Sequence, residues 1–165
     1  MAAQSTDYSD WLWCWAIGGG NWQFGWRSQD DQDSIAAIQR ALDLERNIGV
    51  IVYSPMQSGL LTGAMTKERI ANLPDNDWRK TSTEFQEPRL SRNLNLVELL
   101  RQIGQRHGRS PAEVAIAWTL RHPAVTAAIM GGRNAKQVDG IIGAAEFRLR
   151  EAELDEINTF LHQNP

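Results

Sequence analysis

With 165 residues, 42% of them hydrophobic and 22% charged, the chain is sized and composed for one globular domain with a buried core. A formal net charge of −3 and a pI near 5.6 leave no basic footprint for nucleic acid. Every apolar run is shorter than the roughly 18 residues a membrane-spanning helix needs, and the polar start MAAQSTDYSD lacks the layout of a secretory signal. Cys14 is the single cysteine, so no internal disulfide forms. It reads as a buried inert thiol in a reducing, cytoplasmic compartment.

Trp11 to Ile17 alternates large aromatics with smaller apolar residues and stops at Gly18-Gly19-Gly20, which predicts a strand. Its three tryptophans suit a barrel interior, a helix layer or a subunit contact, and the pattern does not choose among them. The glycines, with Gly25, match a dinucleotide fingerprint poorly: no helix opens at them and no acidic residue follows at the right distance. Asp31 to Asn47 predicts a helix, capped by Asp33 or Ser34, with Ile35, Ile38, Leu42 and Leu44 on its apolar face. It leads into Val50-Ile51-Val52-Tyr53, an apolar run that suits a parallel strand covered on both faces. That strand breaks at Ser54-Pro55 into a loop punctuated by Gly59 and Gly63.

From Gly63 to about Arg92 the chain is polar and reads as a long loop with a helical turn near Lys67–Ile70, placed to act as a lid over the Ser54 loop. Leu94 to His107 predicts a helix with Leu96, Leu99, Leu100 and Ile103 on one face and Gly108 beyond its end. Ser110-Pro111-Ala112-Glu113 is a capping box with proline at the first helical position, opening a helix through Arg121. Val125 to Met130 predicts a further strand, ending at Gly131-Gly132-Arg133. Asn134, with Gln137 in capping-box spacing, starts a helix carrying Val138, Ile141 and Ile142. Glu151 to Leu161 predicts the last helix, with Leu154, Ile157 and Leu161 on one face and acidic residues at its start. Strands alternating with helices make the chain α/β.

Two strand-end loops are candidate anion sites. Ser54-Pro55-Met56-Gln57-Ser58-Gly59 offers hydroxyls and backbone N–H groups, and Gly131-Gly132-Arg133-Asn134 places a guanidinium at the start of a helix. Both are equally readable as ordinary βα turns. His107, His122 and His162 lie at helix ends and read as solvated, Tyr53 reads as part of a buried strand, and Glu151 and Glu153 read as helix-start charges. No metal-ligand cluster and no catalytic constellation stands out.

Val52-Tyr53-Ser54-Pro55-Met56-Gln57-Ser58-Gly59-Leu60-Leu61-Thr62-Gly63 strongly resembles the strand-seven motif of the aldo-keto reductases, and Ile129 to Gln137 resembles the motif after their eighth strand. Trp15 to Gly19 is similar to the family's first strand, Asp33 to Leu44 to its first helix, and Leu94–His122 to its later helices. The resemblance implies a (β/α)₈ barrel and an NADP(H)-dependent carbonyl reductase. It assigns Ser54, Met56, Gln57, Gly59 and Leu61 to the cofactor pyrophosphate, and Gly131, Gly132, Arg133 and Gln137 to the adenosine 2′-phosphate end.

It also implies an internal truncation. Leu44 runs directly into Glu45-Arg46-Asn47, which resembles the end of the family's sixth helix. The middle of the barrel, with its aspartate, tyrosine, lysine and histidine tetrad, has no counterpart. The expectation is one domain over residues 1–165, made of a first βα unit (1–44) and the C-terminal βα units (45–165). It is a partial (β/α)₈ barrel with about three parallel strands and five helices, too short to close. Unpaired sheet edges then favour a homo-oligomer. Three functions follow: a fragment with cofactor loops and little or no turnover, a structural or oligomerising protein, or a reductase completed by a partner subunit.

Overall fold

The computed structural model describes residues 50–164, together with Ala36 and Arg40, which are helical. The expected strand at Trp11–Ile17 and the rest of the expected helix at 31–47 lie outside the described residues. What is described belongs almost wholly to one compact unit, Ile51–Pro165.

Two strands, β1 (Val50–Tyr53) and β2 (Val125–Ile129), pair side by side in a parallel sheet. Within residues 50–164 five α-helices accompany them: α1 (Lys67–Ala71), α2 (Arg89–Gln105), α3 (Pro111–Thr119), α4 (Ala135–Asp139) and α5 (Glu151–Gln163). The order among the described residues is β, a short helix, two long helices, β, and two helices, as the α/β reading requires.

Helix α3 is the axis of the core. Seven of its nine residues, Pro111 to Ala117, are buried. A helix apolar around its whole girth has to be enclosed. Leu96, Leu100 and Ile103 from α2, Val114, Ala115 and Ala117 from α3, and Phe147 and Ile157 near and on α5 make one continuous cluster around it. The capping box holds as read: Ser110 Oγ accepts from Glu113 N at 3.2 Å, and Glu113 Oε2 accepts from Ser110 N at 2.8 Å.

The 63–92 stretch corrects the loop reading. It folds into α1 and two short 3-10 turns, Trp78–Lys80 and Thr83–Phe85. Met65, Ile70, Phe85 and Leu90 then pack on Leu60 as a second small core. Lys67 pairs with Glu87 at 2.7 Å and Lys80 with Asp75 at 2.8 Å, while Asp77 Oδ2 accepts from Arg79 at 2.6 Å. Sparse apolar residues spaced five to fifteen positions apart give no periodic signal, yet in space they converge on one point. The segment is folded and tied down by these contacts.

Helix α2 also begins earlier than expected, at Arg89, directly after Pro88. Proline tolerates a helix start because its missing N–H is one the helix leaves unpaired there. The polar run Arg89–Asn93 hid this turn, but Leu90 and Asn93 are buried. In the opposite sense α4 stops at Asp139, and Val138 and Ile142 are exposed, so the expected apolar stripe over Val138, Ile141 and Ile142 does not form. Gly140 is a poor helix residue, by about 1 kcal/mol, and Ser110 Oγ donates to its carbonyl at 3.1 Å.

Tyr53 is 76% exposed and Val50 42%, which overturns the expectation of a strand covered on both faces. With two strands among the described residues, β1 gains a single sheet neighbour and its terminal side chains stay open to solvent. None of the described helices is long and apolar enough to cross a membrane.

Candidate functional site

Because β1 and β2 are parallel neighbours, the loops leaving their carboxyl ends emerge at the same edge of the sheet. In α/β proteins that edge is where ligands bind. The loop after β1 carries Ser54, Met56, Gln57, Gly59 and Leu61, and the loop after β2 carries Gly131, Gly132, Arg133 and Gln137.

The first loop has an unusual backbone. Ser54 (φ 53°), Gln57 (φ 47°), Ser58 (φ 53°) and Gly59 (φ 94°) all take left-handed conformations, as does Gly63 (φ 79°). Each non-glycine residue there costs about 1–2 kcal/mol. Internal hydrogen bonds offset that cost. Gln57 N donates to Ser54 O at 2.9 Å, Gly59 N and Leu61 N both donate to Met56 O at 3.1 Å, and Ser58 N donates to Ser54 Oγ at 3.1 Å. Thr62 Oγ1 closes the turn on Gly59 O at 2.6 Å. At Gly63 a Cβ would stand 2.9 Å from Pro111 Cγ and 3.3 Å from Arg101 Nη2, so glycine is required by space as well as by φ.

The amides of Gln57, Ser58, Gly59 and Leu61 are therefore committed within the loop, contrary to the expectation that its N–H groups stand free. The hydroxyls remain: Ser54 Oγ accepts from Ser58 N at 3.1 Å and lies 3.5 Å from Ser58 Oγ, so that the two hydroxyls share one donor between them and leave one for a ligand. Ser54 is half-buried and Gln57 exposed. Beside them Tyr53 presents an open aromatic ring, suited to stacking against a flat ligand ring. The buried-strand reading had set Tyr53 aside. Its place at the end of an apolar run, one residue before the turn, was the available signal.

The second loop is open throughout: residues 131–140 are all exposed. Asn134 Oδ1 accepts from Gln137 N at 3.0 Å, and Gln137 Oε1 accepts from Arg133 N at 2.8 Å. The capping pair thus fixes the backbone of Arg133 while its guanidinium extends from a turn whose Gly131 faces open space. Hydroxyls from one loop and a guanidinium from the other, at one sheet edge, are a donor set that fits two separated phosphate groups.

Among the described residues no three of His, Cys, Asp and Glu gather as a metal site would require. His107 is not solvated as expected: its Nε2 lies 2.6 Å from Glu153 Oε1, with the Phe147 ring 5.0 Å away. Glu153, read as a helix-start charge, is 2% exposed and its Oε2 also accepts from Arg150 N at 2.9 Å. This pair is structural and lies apart from both loops in sequence.

Comparisons with known proteins agree with the geometry. Residues 44–162 match the model of the aldo/keto reductase family. The chain is 32% identical over 130 residues to a probable aldo-keto reductase of Glycine max, covering 79% of this chain and 36% of the relative. It is 28% identical over 113 residues to an NADP(+)-designated aldo-keto reductase of Schizosaccharomyces pombe, covering 68% and 33%. The solved glycerol dehydrogenase of Gluconobacter oxydans superposes with a TM-score of 0.65 at 26% identity, over 73% of this chain and 36% of that one. The chain spans about a third of the length of these relatives, and its described portion is a partial (β/α)₈ barrel.

Proposed function

Because the chain belongs to the aldo/keto reductase family, we propose that it is an oxidoreductase-like fragment that keeps the NADP(H) phosphate-binding loops and lacks the catalytic tetrad. Ser54, Met56, Gln57, Gly59 and Leu61 form the pyrophosphate end. Gly131, Gly132, Arg133 and Gln137 form the adenosine 2′-phosphate end, and Tyr53 offers a face to the nicotinamide ring. The observation that carries this is the emergence of both motifs at one edge of a parallel strand pair. The NADP(+) designation of the fission-yeast relative supports the choice of cofactor.

When bound, the nicotinamide supplies a hydride donor. Reduction also needs a proton delivered to the carbonyl oxygen, and the chain has no counterpart of the family's aspartate, tyrosine, lysine and histidine. Little or no carbonyl reduction is expected, in a single truncated domain over residues 1–165 and a cytoplasmic setting that suits its lone Cys14. The family match beginning at residue 44 supports a junction there between a first βα unit and the C-terminal units.

Tryptophan fluorescence titration is the test. NADPH should bind weakly and more tightly than NADH, and Arg133→Ala should remove that preference by about tenfold, the worth of one charge-assisted contact. Absence of binding at millimolar cofactor would overturn the reading. A partner-completed reductase would instead turn over a simple aldehyde with NADPH, and lose that turnover in Arg133→Ala.

A second reading rests on the exposed apolar residues of the sheet, Val50, Tyr53 and Ile129, the last 53% exposed. Open strand edges and apolar side chains favour a homo-oligomer with a structural role. Sedimentation velocity distinguishes it: a clean monomer of 18.6 kDa sinks this reading.

A further inference from the structure

Behind the Ser54 loop, on the side facing the helices, lies a cavity of about 350 Å³. Its apolar walls are Leu61, Leu96, Leu100, Ala115, Ile157 and Leu161, and no residue of the 131–137 loop takes part. Ligand cavities run from about 300 to 1,000 Å³, mostly apolar with a few placed polar groups. This one has such groups where Arg92, Asn93 and Trp118 reach its wall.

The charge at that wall is unbalanced. Glu84 is held by Arg89 and accepts at Oε2 from Asn93 Nδ2 at 3.0 Å. Asn93 also donates to Glu84 O at 3.1 Å and accepts from Arg92 Nη1 at 2.9 Å. Asn93 is 3% exposed and both its N–H donors are engaged by Glu84, which orients its Oδ1 toward the guanidinium of Arg92. Arg92 Nε donates to Asn164 O at 2.9 Å, and among the described residues Arg92 forms no ion pair with a carboxylate. Glu84 thus pairs with Arg89, and Arg92 is bonded to two neutral amide oxygens. Among the described residues, the indole Nε1 of Trp118, which also lines the cavity, is buried without an acceptor. A guanidinium bonded to neutral oxygens and an unpaired indole N–H, on a mostly apolar wall, suit an acceptor that carries negative charge.

We propose that this cavity binds a small organic anion with an apolar body, of the class of an aromatic carboxylate. The carboxylate meets the Arg92 guanidinium, and the hydrocarbon body fills the space between α2, α3 and α5. The cavity shares Ser54, Gln57 and Leu61 with the pyrophosphate end of the proposed cofactor site, while Arg133, at the adenosine end, plays no part in it.

Equilibrium dialysis of the full chain against naphthoate and its neutral counterpart naphthalenemethanol tests it. Naphthoate should bind at one per chain and about tenfold more tightly than the alcohol, the worth of one charge-assisted bond. Arg92→Met should erase that preference, while Arg133→Ala should leave both ligands unchanged. Ala115→Leu, which fills the cavity without touching the charged cluster, should block both, so a misfolded Arg92→Met leaves the site still testable. Failure of naphthoate to bind, an anion preference that survives Arg92→Met, or binding that survives Ala115→Leu would each overturn the proposal.

Discussion

Ser54, Gln57 and Ser58 hold left-handed backbone without being glycine. Such positions are stabilised by substitution where the side chain contributes little. Gln57 is exposed, so Gln57→Gly should raise stability by about 1 kcal/mol, read as an increased urea midpoint with unchanged slope. Gly63→Ala should do the reverse. Its φ of 79° and the 2.9 Å approach to Pro111 Cγ should cost roughly 1–3 kcal/mol in the same measurement. The residue types at these positions were legible as a turn, because Ser-Pro and the two glycines punctuate the chain. That the turn consumes its own amides was not legible, since it depends on φ values that serine and glutamine rarely adopt.

Among the elements, the helical layer is the most sharply specified by local signals. The capping box at Ser110 and Glu113 was readable as spelled, and Ser110→Ala should cost about 1 kcal/mol on thermal or urea unfolding. Ile103 is fully buried between α2 and α3, and Ile103→Ala should cost about 3 kcal/mol. The links that escaped the sequence join distant positions. His107 and Glu153 are 46 residues apart, and Leu90 reaches Leu60 through a core formed by a stretch with no periodicity.

Glu153 yields a pH prediction. Burial opposes its ionisation, but the hydrogen bond from Arg150 N–H and the bond to His107 outweigh burial and hold the carboxyl below its ordinary value of 4.5. A depressed folded-state value means the contribution is fully present above the unfolded value and fades as pH falls through the folded one. Stability should therefore drop below about pH 4.5, and Glu153→Gln should flatten that acid limb in urea titrations run from pH 3 to 7.

At the scale of the whole molecule, the α/β alternation and both strand-end motifs were visible because parallel strands write continuous apolar runs and their turns use serine, proline and glycine. Exposure of β1 was not visible. An apolar run looks the same whether or not further strands exist to cover it. Tyr53→Lys should lower any self-association seen in sedimentation while leaving the helical circular dichroism unchanged, since its ring is already open to solvent. The inward-bonded Ser54 turn has one more consequence, in the energetics of encounter. A loop whose shape precedes its ligand gives up little disorder on binding, and it forms few new backbone bonds. Association at this edge should therefore be quick, with calorimetric heats smaller than those of a loop that folds around its guest.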